Sequence, residues 1–167
     1  MYHATRHGLT SALLAAGLTA NSLWAAPEPG SDFSAGAAAL NIDPPKLPVL
    51  QNGGFLQRVA GILQSRCRQT DVVARYGGEE FAVLLPQTDL RSAHSLACEI
   101  GAGIATSPLV LDGGEAVTVT VSVGVASLPA DDRRVPREAG EAMLKAADAA
   151  AYGAKMAGRN CVVCADA

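Results

Sequence analysis

The chain has 167 residues and a mass of 17.0 kDa, which leaves room for one domain and a short attachment. With 49% hydrophobic and 17% charged residues it can bury a core, and this excludes wholesale disorder. A net charge of −3 excludes a general nucleic-acid footprint, so any phosphate binding must come from local Lys and Arg placement.

Residues 1–36 form a first segment, set apart from a folded unit over 37–167. Gly8 to Ala26 is helix-compatible, rich in Ala and Leu, and Pro27 to Ser34 is a Pro/Gly/Ser connector. Arg6 and His7 before the apolar stretch Leu9 to Leu18 resemble a leader. That stretch is too short to span a bilayer, Asn21 interrupts the apolar run, and no good small-x-small cleavage site stands before Pro27. The expectation is a cytoplasmic protein with no membrane span, a signal-like N-terminus being the alternative.

Ala37 to Asp43 reads as a short strand stopped by Pro44-Pro45, which cannot continue a ladder. Phe55 to Arg66 is a helix, with Phe55, Val59, Ile62 and Leu63 at helical spacing. Two β-rich runs follow, Asp71 to Tyr76 and Phe81 to Leu85, separated by Gly77-Gly78-Glu79-Glu80. Pro86 to Asp89 is a turn that caps a helix from Leu90 to Ala105, striped by Ala93, Leu96, Ala97, Ile100 and Ile104. Asp112-Gly113-Gly114 is a further turn. From Val117 to Val125, valines alternate with Thr118, Thr120, Ser122 and Gly124, the clearest strand pattern in the chain. A last helix runs from Arg137 to Met156 and ends near Gly158, and Cys161 to Cys164 adds an edge strand. The expected fold class is α/β (α+β), a mixed central sheet flanked by helices.

Four cysteines, Cys67, Cys98, Cys161 and Cys164, include one C-x-x-C pair with no second pair or His cluster nearby. Strand alternation sends Cys161 and Cys164 to opposite faces, so they read as free structural thiols suited to a reducing cytosol. No histidine is assigned a role; His94 reads as a surface residue.

The hairpin Arg75-Tyr76-Gly77-Gly78-Glu79-Glu80-Phe81 carries the chemistry. The glycine pair is expected to supply the positive φ of a tight hairpin and to let a phosphate or base approach the backbone. Glu79 and Glu80 then set two hard oxygen ligands at the turn's exit, suited to Mg²⁺ bound together with phosphates. A solvated hairpin with two surface glutamates has the same local sequence. Lys155 and Arg159, four apart, are expected on one side of the last helix.

The hairpin resembles the signature of the GGDEF family of diguanylate cyclases in its GGEEF form. Thr118 to Ala126 is similar to the family's late strand, and Ala147 to Asn160 to its last helix and following turn. Arg68-Gln69-Thr70-Asp71 resembles its RxxD motif. The resemblance implies the nucleotide-cyclase palm, a ferredoxin-like fold. It also implies condensation of two GTP into cyclic di-GMP and pyrophosphate, in a homodimer whose halves each hold one GTP, with Mg²⁺ or Mn²⁺. By resemblance, Glu79 is the general base and a metal contact and Glu80 a metal ligand. Asn41 and the backbone of Ile42 occupy the other metal positions. Gly77 and Gly78 lie against the nucleotide, Lys155 and Arg159 grip the triphosphate, and Arg68 and Asp71 hold inhibitory cyclic di-GMP. Adjacent strand residues point to opposite faces, so Glu79 and Glu80 both reach metal only if the backbone is distorted there.

The first third departs from the family. Leu40-Asn41-Ile42-Asp43-Pro44-Pro45-Lys46 is similar to D-x-D-x-F-K, but Asn41 stands where the metal-binding aspartate is expected and Pro45 replaces the phenylalanine. The following segment is shortened by roughly five residues, and Asn52-Gly53 stands in place of the guanine-side Gly-Asp. This leaves a second reading: a catalytically inactive domain acting as a cyclic di-GMP receptor or interaction module.

Overall fold

A computed structural model describes residues 35–43, 53–110, 114–128 and 132–165; the segment 1–34 and residue 52 lie outside the described residues. The described elements are β1 (Ala35–Asp43), α1 (Gly53–Arg66), β2 (Val72–Arg75), β3 (Glu80–Pro86) and α2 (Leu90–Ala105). They continue with β4 (Leu109–Val110), β5 (Ala116–Val117), β6 (Thr120–Leu128), α3 (Pro136–Met156) and β7 (Val162–Cys164). Five strands form one sheet in the order β2-β3-β1-β6-β7, while β4 and β5 make a separate two-stranded ribbon. β1 lies antiparallel to both β3 and β6, and β7 runs parallel to β6. This is the mixed sheet flanked by helices that the sequence implies.

Helices cover both faces. Leu40 and Ile42 of β1, with Phe81, Val83 and Leu85 of β3, pack against Phe55, Val59 and Leu63 of α1 and Ala97 and Ile100 of α2. On the opposite face Ala37, Ala126 and Leu128 meet Ala139, Met143 and Ala147 of α3. Small residues dominate β1 despite their poor strand propensity, because the helices come very close. At Gly36 an added Cβ would sit 2.9 Å from Ala93 Cβ. At Gly124 it would sit 1.9 Å from the Ala147 carbonyl oxygen, so α3 rests directly on the backbone of β6.

The long alternating strand is shorter than its pattern. Among the described residues, Asp43 opposite Thr120 is the last β1–β6 pair, and none before Thr120 pairs in the main sheet. Ala116 and Val117 pair with β4 instead. The alternation does not mark a wet face either, because β6 is buried on both sides from Val121 to Ala126. The cysteine faces are as expected. Cys161 donates to the Ala154 carbonyl of α3 at 3.4 Å, whereas Cys164 packs into the α1/α2 core.

Candidate nucleotide site

The α3-facing side of the sheet changes character along its length. Under the first half of α3 it is Ala37, Ala39, Leu84 and Ala126. Toward the end of β1 the same face carries Asn41 and Asp43, opposite Glu80 on β3 and opposite Ser122 and Thr120 on β6. Since α3 starts over Ala37 and Leu128, its C-terminus, with Lys155 and then Arg159, arrives at this polar end. The hairpin and the helix exit are thereby placed on one edge.

Glu80 is the first residue of β3 and is half-buried; its Oε1 accepts from the Asn41 amide nitrogen at 2.8 Å across the β1–β3 pair. The hairpin closes on the Glu80 carbonyl, which accepts from the N–H of Tyr76 at 2.7 Å and of Gly77 at 3.2 Å. Neither Gly77 nor Gly78 has a left-handed φ, so the expected positive-φ turn is not how this hairpin closes. The tip is a wider bend over residues 77–79. At Gly77 an added Cβ would lie 2.7 Å from Glu80 Oε2, so any larger residue there would push that carboxylate aside. Arg75 staples the bend, with Nε donating to the carbonyls of Gly77 at 3.1 Å and Gly78 at 3.2 Å, and Nη2 to Gly78 at 2.6 Å. Sequence reasoning gave Arg75 no role; a guanidinium two residues before a Gly-Gly turn was the available signal. Glu79 lies in the bend, exposed, and its carbonyl accepts from the Ile42 N–H at 3.2 Å. The bend meets the demand that consecutive glutamates escape strand alternation.

Asp43, only 7% exposed, is the most heavily bonded carboxylate of the site. It accepts from Ser122 Oγ at 2.9 Å, Thr120 Oγ1 at 3.1 Å and the Asn160 N–H at 3.2 Å, and Arg159 Nε stands 3.7 Å away. The helix–turn geometry corrects one expectation. α3 stops at Met156, and Gly158 at φ +112 begins a Schellman turn: the Arg159 N–H reaches the Ala154 carbonyl at 3.0 Å. Lys155 and Arg159 are therefore not paired along one helical face. Lys155 is on the helix, while Arg159 lies beyond it and turns back to β1. Among the described residues Lys155 has no ion pair.

Arg68 and Asp71 lie elsewhere, at the far side of β2. The Arg68 N–H donates to Asp71 Oδ2 at 2.7 Å, and Asp71 Oδ1 is buried with no partner. Both line an open recess of about 360 Å³ with Arg66, Thr88, Ser92 and Glu99. His94 is partly exposed, its ring nitrogens 3.8 and 3.9 Å from Cys98 Sγ. Burial pushes the thiols of Cys67 and Cys164 up, which keeps them protonated.

The family profile "Diguanylate cyclase, GGDEF domain" matches residues 52–161. The chain belongs to the GGDEF-domain diguanylate cyclase family. It is 43% identical over 105 residues to diguanylate cyclase DgcP of Pseudomonas aeruginosa, covering 63% of this chain and 15% of that protein's length. The fold agrees with the GGDEF domain of DgcB from Caulobacter crescentus, solved with c-di-GMP, at a TM-score of 0.69 and 28% identity, over 81% of this chain and 80% of that one. It also agrees with the active GGEEF domain of a diguanylate cyclase from Vibrio cholerae, at 0.68 and 27%, over 80% and 84%. No described helix is long and apolar enough to cross a membrane.

GGDEF cyclases imply a divalent cation, and the donor set of this domain fits one only in part. Among the described residues no three His, Cys, Asp or Glu side chains converge. Asp43 already accepts from Ser122, Thr120 and the Asn160 N–H, and Glu80 has Oε1 taken by an amide donor. What is left is one carboxylate beside a neutral amide, with Glu79 next in sequence. Mg²⁺ retains several waters and is commonly held by one or two carboxylates plus substrate phosphates. The set therefore fits an ion brought by a nucleotide better than an ion bound alone.

Proposed function

We propose that this domain binds GTP with Mg²⁺ or Mn²⁺ at the Asn41–Glu80 end of the sheet and, facing a second copy, condenses two GTP into cyclic di-GMP and pyrophosphate. The observation that carries this reading is the convergence on one edge of the glycine-relieved Glu80, the exit of α3 and the turn carrying Arg159. Gly77 and Gly78 leave the hairpin backbone open to phosphate oxygens. Lys155 and Arg159 supply positive charge for the triphosphate, with the guanidinium giving a bidentate grip. Glu79, exposed at the tip, is the carboxylate able to reach a 3′-hydroxyl and take its proton. The cation, when bound, offsets phosphate charge and acidifies the attacking hydroxyl. Two copies are required because each active site offers one nucleotide, and the attacking hydroxyl and α-phosphate must be brought in line.

Asn41 sets the rate. An amide has no charge to oppose that of the phosphates, so turnover is slower than with a carboxylate there, by about 10²–10³-fold on the scale of losing one preorganised electrostatic contact. Calorimetry with GTP and Mg²⁺ tests the binding half of the proposal: the wild type binds and Glu80→Gln binds markedly less. Equal heats for the two, or none for either, contradict it.

A second reading has its own support. The unpartnered buried Asp71 Oδ1 beside Arg68, in an open recess of about 360 Å³, suits a cyclic di-GMP receptor site, where the carboxylate would meet a guanine N–H and the arginine a phosphate. Titration with cyclic di-GMP tests it, since binding must be lost in Arg68→Ala.

A further inference from the structure

We propose that Asp43 is a positioning residue: it holds the turn after α3 so that Arg159 presents its terminal guanidinium nitrogens to the nucleotide's phosphates. The inference rests on the reading of this edge as a triphosphate site.

Three observations lead there. First, Asp43 is buried, and its donors come from two different elements: Ser122 and Thr120 from β6, and the Asn160 N–H from the turn. The bonds of this carboxylate tie the turn after α3 to the sheet. Second, the turn is held in an unfavourable backbone. Arg159 at φ +65 and Asn160 at φ +49 are consecutive non-glycine residues in the left-handed region. Such residues persist only where their surroundings fix them. The Schellman bond from Arg159 N–H to Ala154 fixes one end, and the bond from Asn160 N–H to Asp43 fixes the other.

Third, Arg159 approaches Asp43 with Nε, at 3.7 Å, while its side chain stays 59% exposed. A guanidinium engaged at Nε retains its two terminal nitrogens, four N–H donors, for another acceptor. An anion beside Nε would also keep the long side chain from sampling other rotamers, lowering the entropy lost when phosphate arrives. Sequence spacing alone suggested that Lys155 and Arg159 share one side near the helix end, an arrangement in which Asp43 has no part.

The test is a double-mutant cycle on GTP affinity, with Mg²⁺ present, in wild type, Asp43→Asn, Arg159→Ala and the double variant, each first verified as folded by circular dichroism. Asp43→Asn keeps the shape but removes the charge. It is expected to weaken GTP by about tenfold in the wild-type background and by under about twofold once Arg159 is gone, since coupled residues are not additive. A merely structural Asp43 would weaken both backgrounds alike, and that additivity overturns the proposal. So does wild-type affinity in Asp43→Asn. If the wild type binds no GTP, the site reading itself fails, an outcome distinct from either. Should Asp43→Asn not fold, the ¹⁵N spectrum of the wild type decides. A resolved Arg159 Nε–H resonance with a slowly exchanging Asn160 amide supports the arrangement, and an averaged side chain with a fast-exchanging amide overturns it.

Discussion

The amide nitrogen of Asn41 lies 2.8 Å from Oε1 of Glu80, on neighbouring strands and in direct register. A neutral donor and an anionic acceptor satisfy one another without a cation. This pair fills the polar end of the sheet with an amide where the family resemblance leads one to expect a second carboxylate. It also gives the substitution most informative about the site.

Asn41→Asp would set two carboxylates within hydrogen-bond distance where an amide and a carboxylate now meet. In metal-free buffer the variant should unfold at a lower temperature than the wild type, by about 1–3 kcal/mol of lost pairing and repulsion. Mn²⁺ should restore it. Thermal unfolding with and without the ion checks this, and the wild type should show a much smaller metal-dependent shift.

Gly77→Ala puts a methyl 2.7 Å from Glu80 Oε2, the end of a flexible side chain that can move aside. Stability should change by under about 1 kcal/mol, as at other exposed sites. GTP affinity should fall several-fold, because the displaced carboxylate loses its place beside Asn41. Denaturant unfolding and calorimetry separate the two effects.

Gly124→Ala is the opposite case. Its methyl would lie 1.9 Å from the Ala147 carbonyl oxygen and 2.2 Å from the Ala151 nitrogen, both backbone atoms of α3. The helix must lift off the sheet, so we expect a loss of about 3 kcal/mol or more in a urea titration. A surviving fold should also lose GTP binding, since α3 carries Lys155 and leads to Arg159.

Asp89 caps α2 by accepting from the Ser92 N–H at 2.7 Å, and these Ser92 bonds, chiefly, hold its carboxyl below the usual carboxylate range. A carboxyl depressed by folding contributes stability above its unfolded pKa, and that stability is lost as pH falls through the folded value. Asp89→Ala should lower the melting temperature at pH 7 and narrow toward the wild type below pH 4. A constant difference across that range would contradict the cap's ionised role.

Much of this was legible in the chain. The stripe from Ala93 to Ile104 gave α2 its bounds because apolar spacing and the Asp89 cap agree, and the Gly-Gly-Glu-Glu tip lay where the turn residues put it. Periodicity gave no signal for what tertiary contact decides. β6 alternates Val with Thr and Ser, yet it is buried on both sides from Val121 to Ala126, which the alternation alone does not show. Thr118 and Val119 break the run between β5 and β6, which the alternating pattern does not show. Arg159 continues the helical spacing of Lys155, but Gly158 ends the helix first, and only the buried Asp43 shows where the arginine turns. Of the hairpin glycines, flagged in part for backbone handedness, neither has a left-handed φ; Gly77 closely approaches Glu80, and Gly78 has nothing within 4 Å of a Cβ.

The central claim is that this edge handles GTP in pairs. The most direct measurement is mass-spectrometric detection of cyclic di-GMP after incubating a chain dimerised through a fused coiled coil with GTP and Mg²⁺. The account predicts slow formation of cyclic di-GMP and pyrophosphate, lost in Glu80→Gln and accelerated in Asn41→Asp. Absence of product from both the wild type and Asn41→Asp, in folded dimers at saturating GTP, would contradict it.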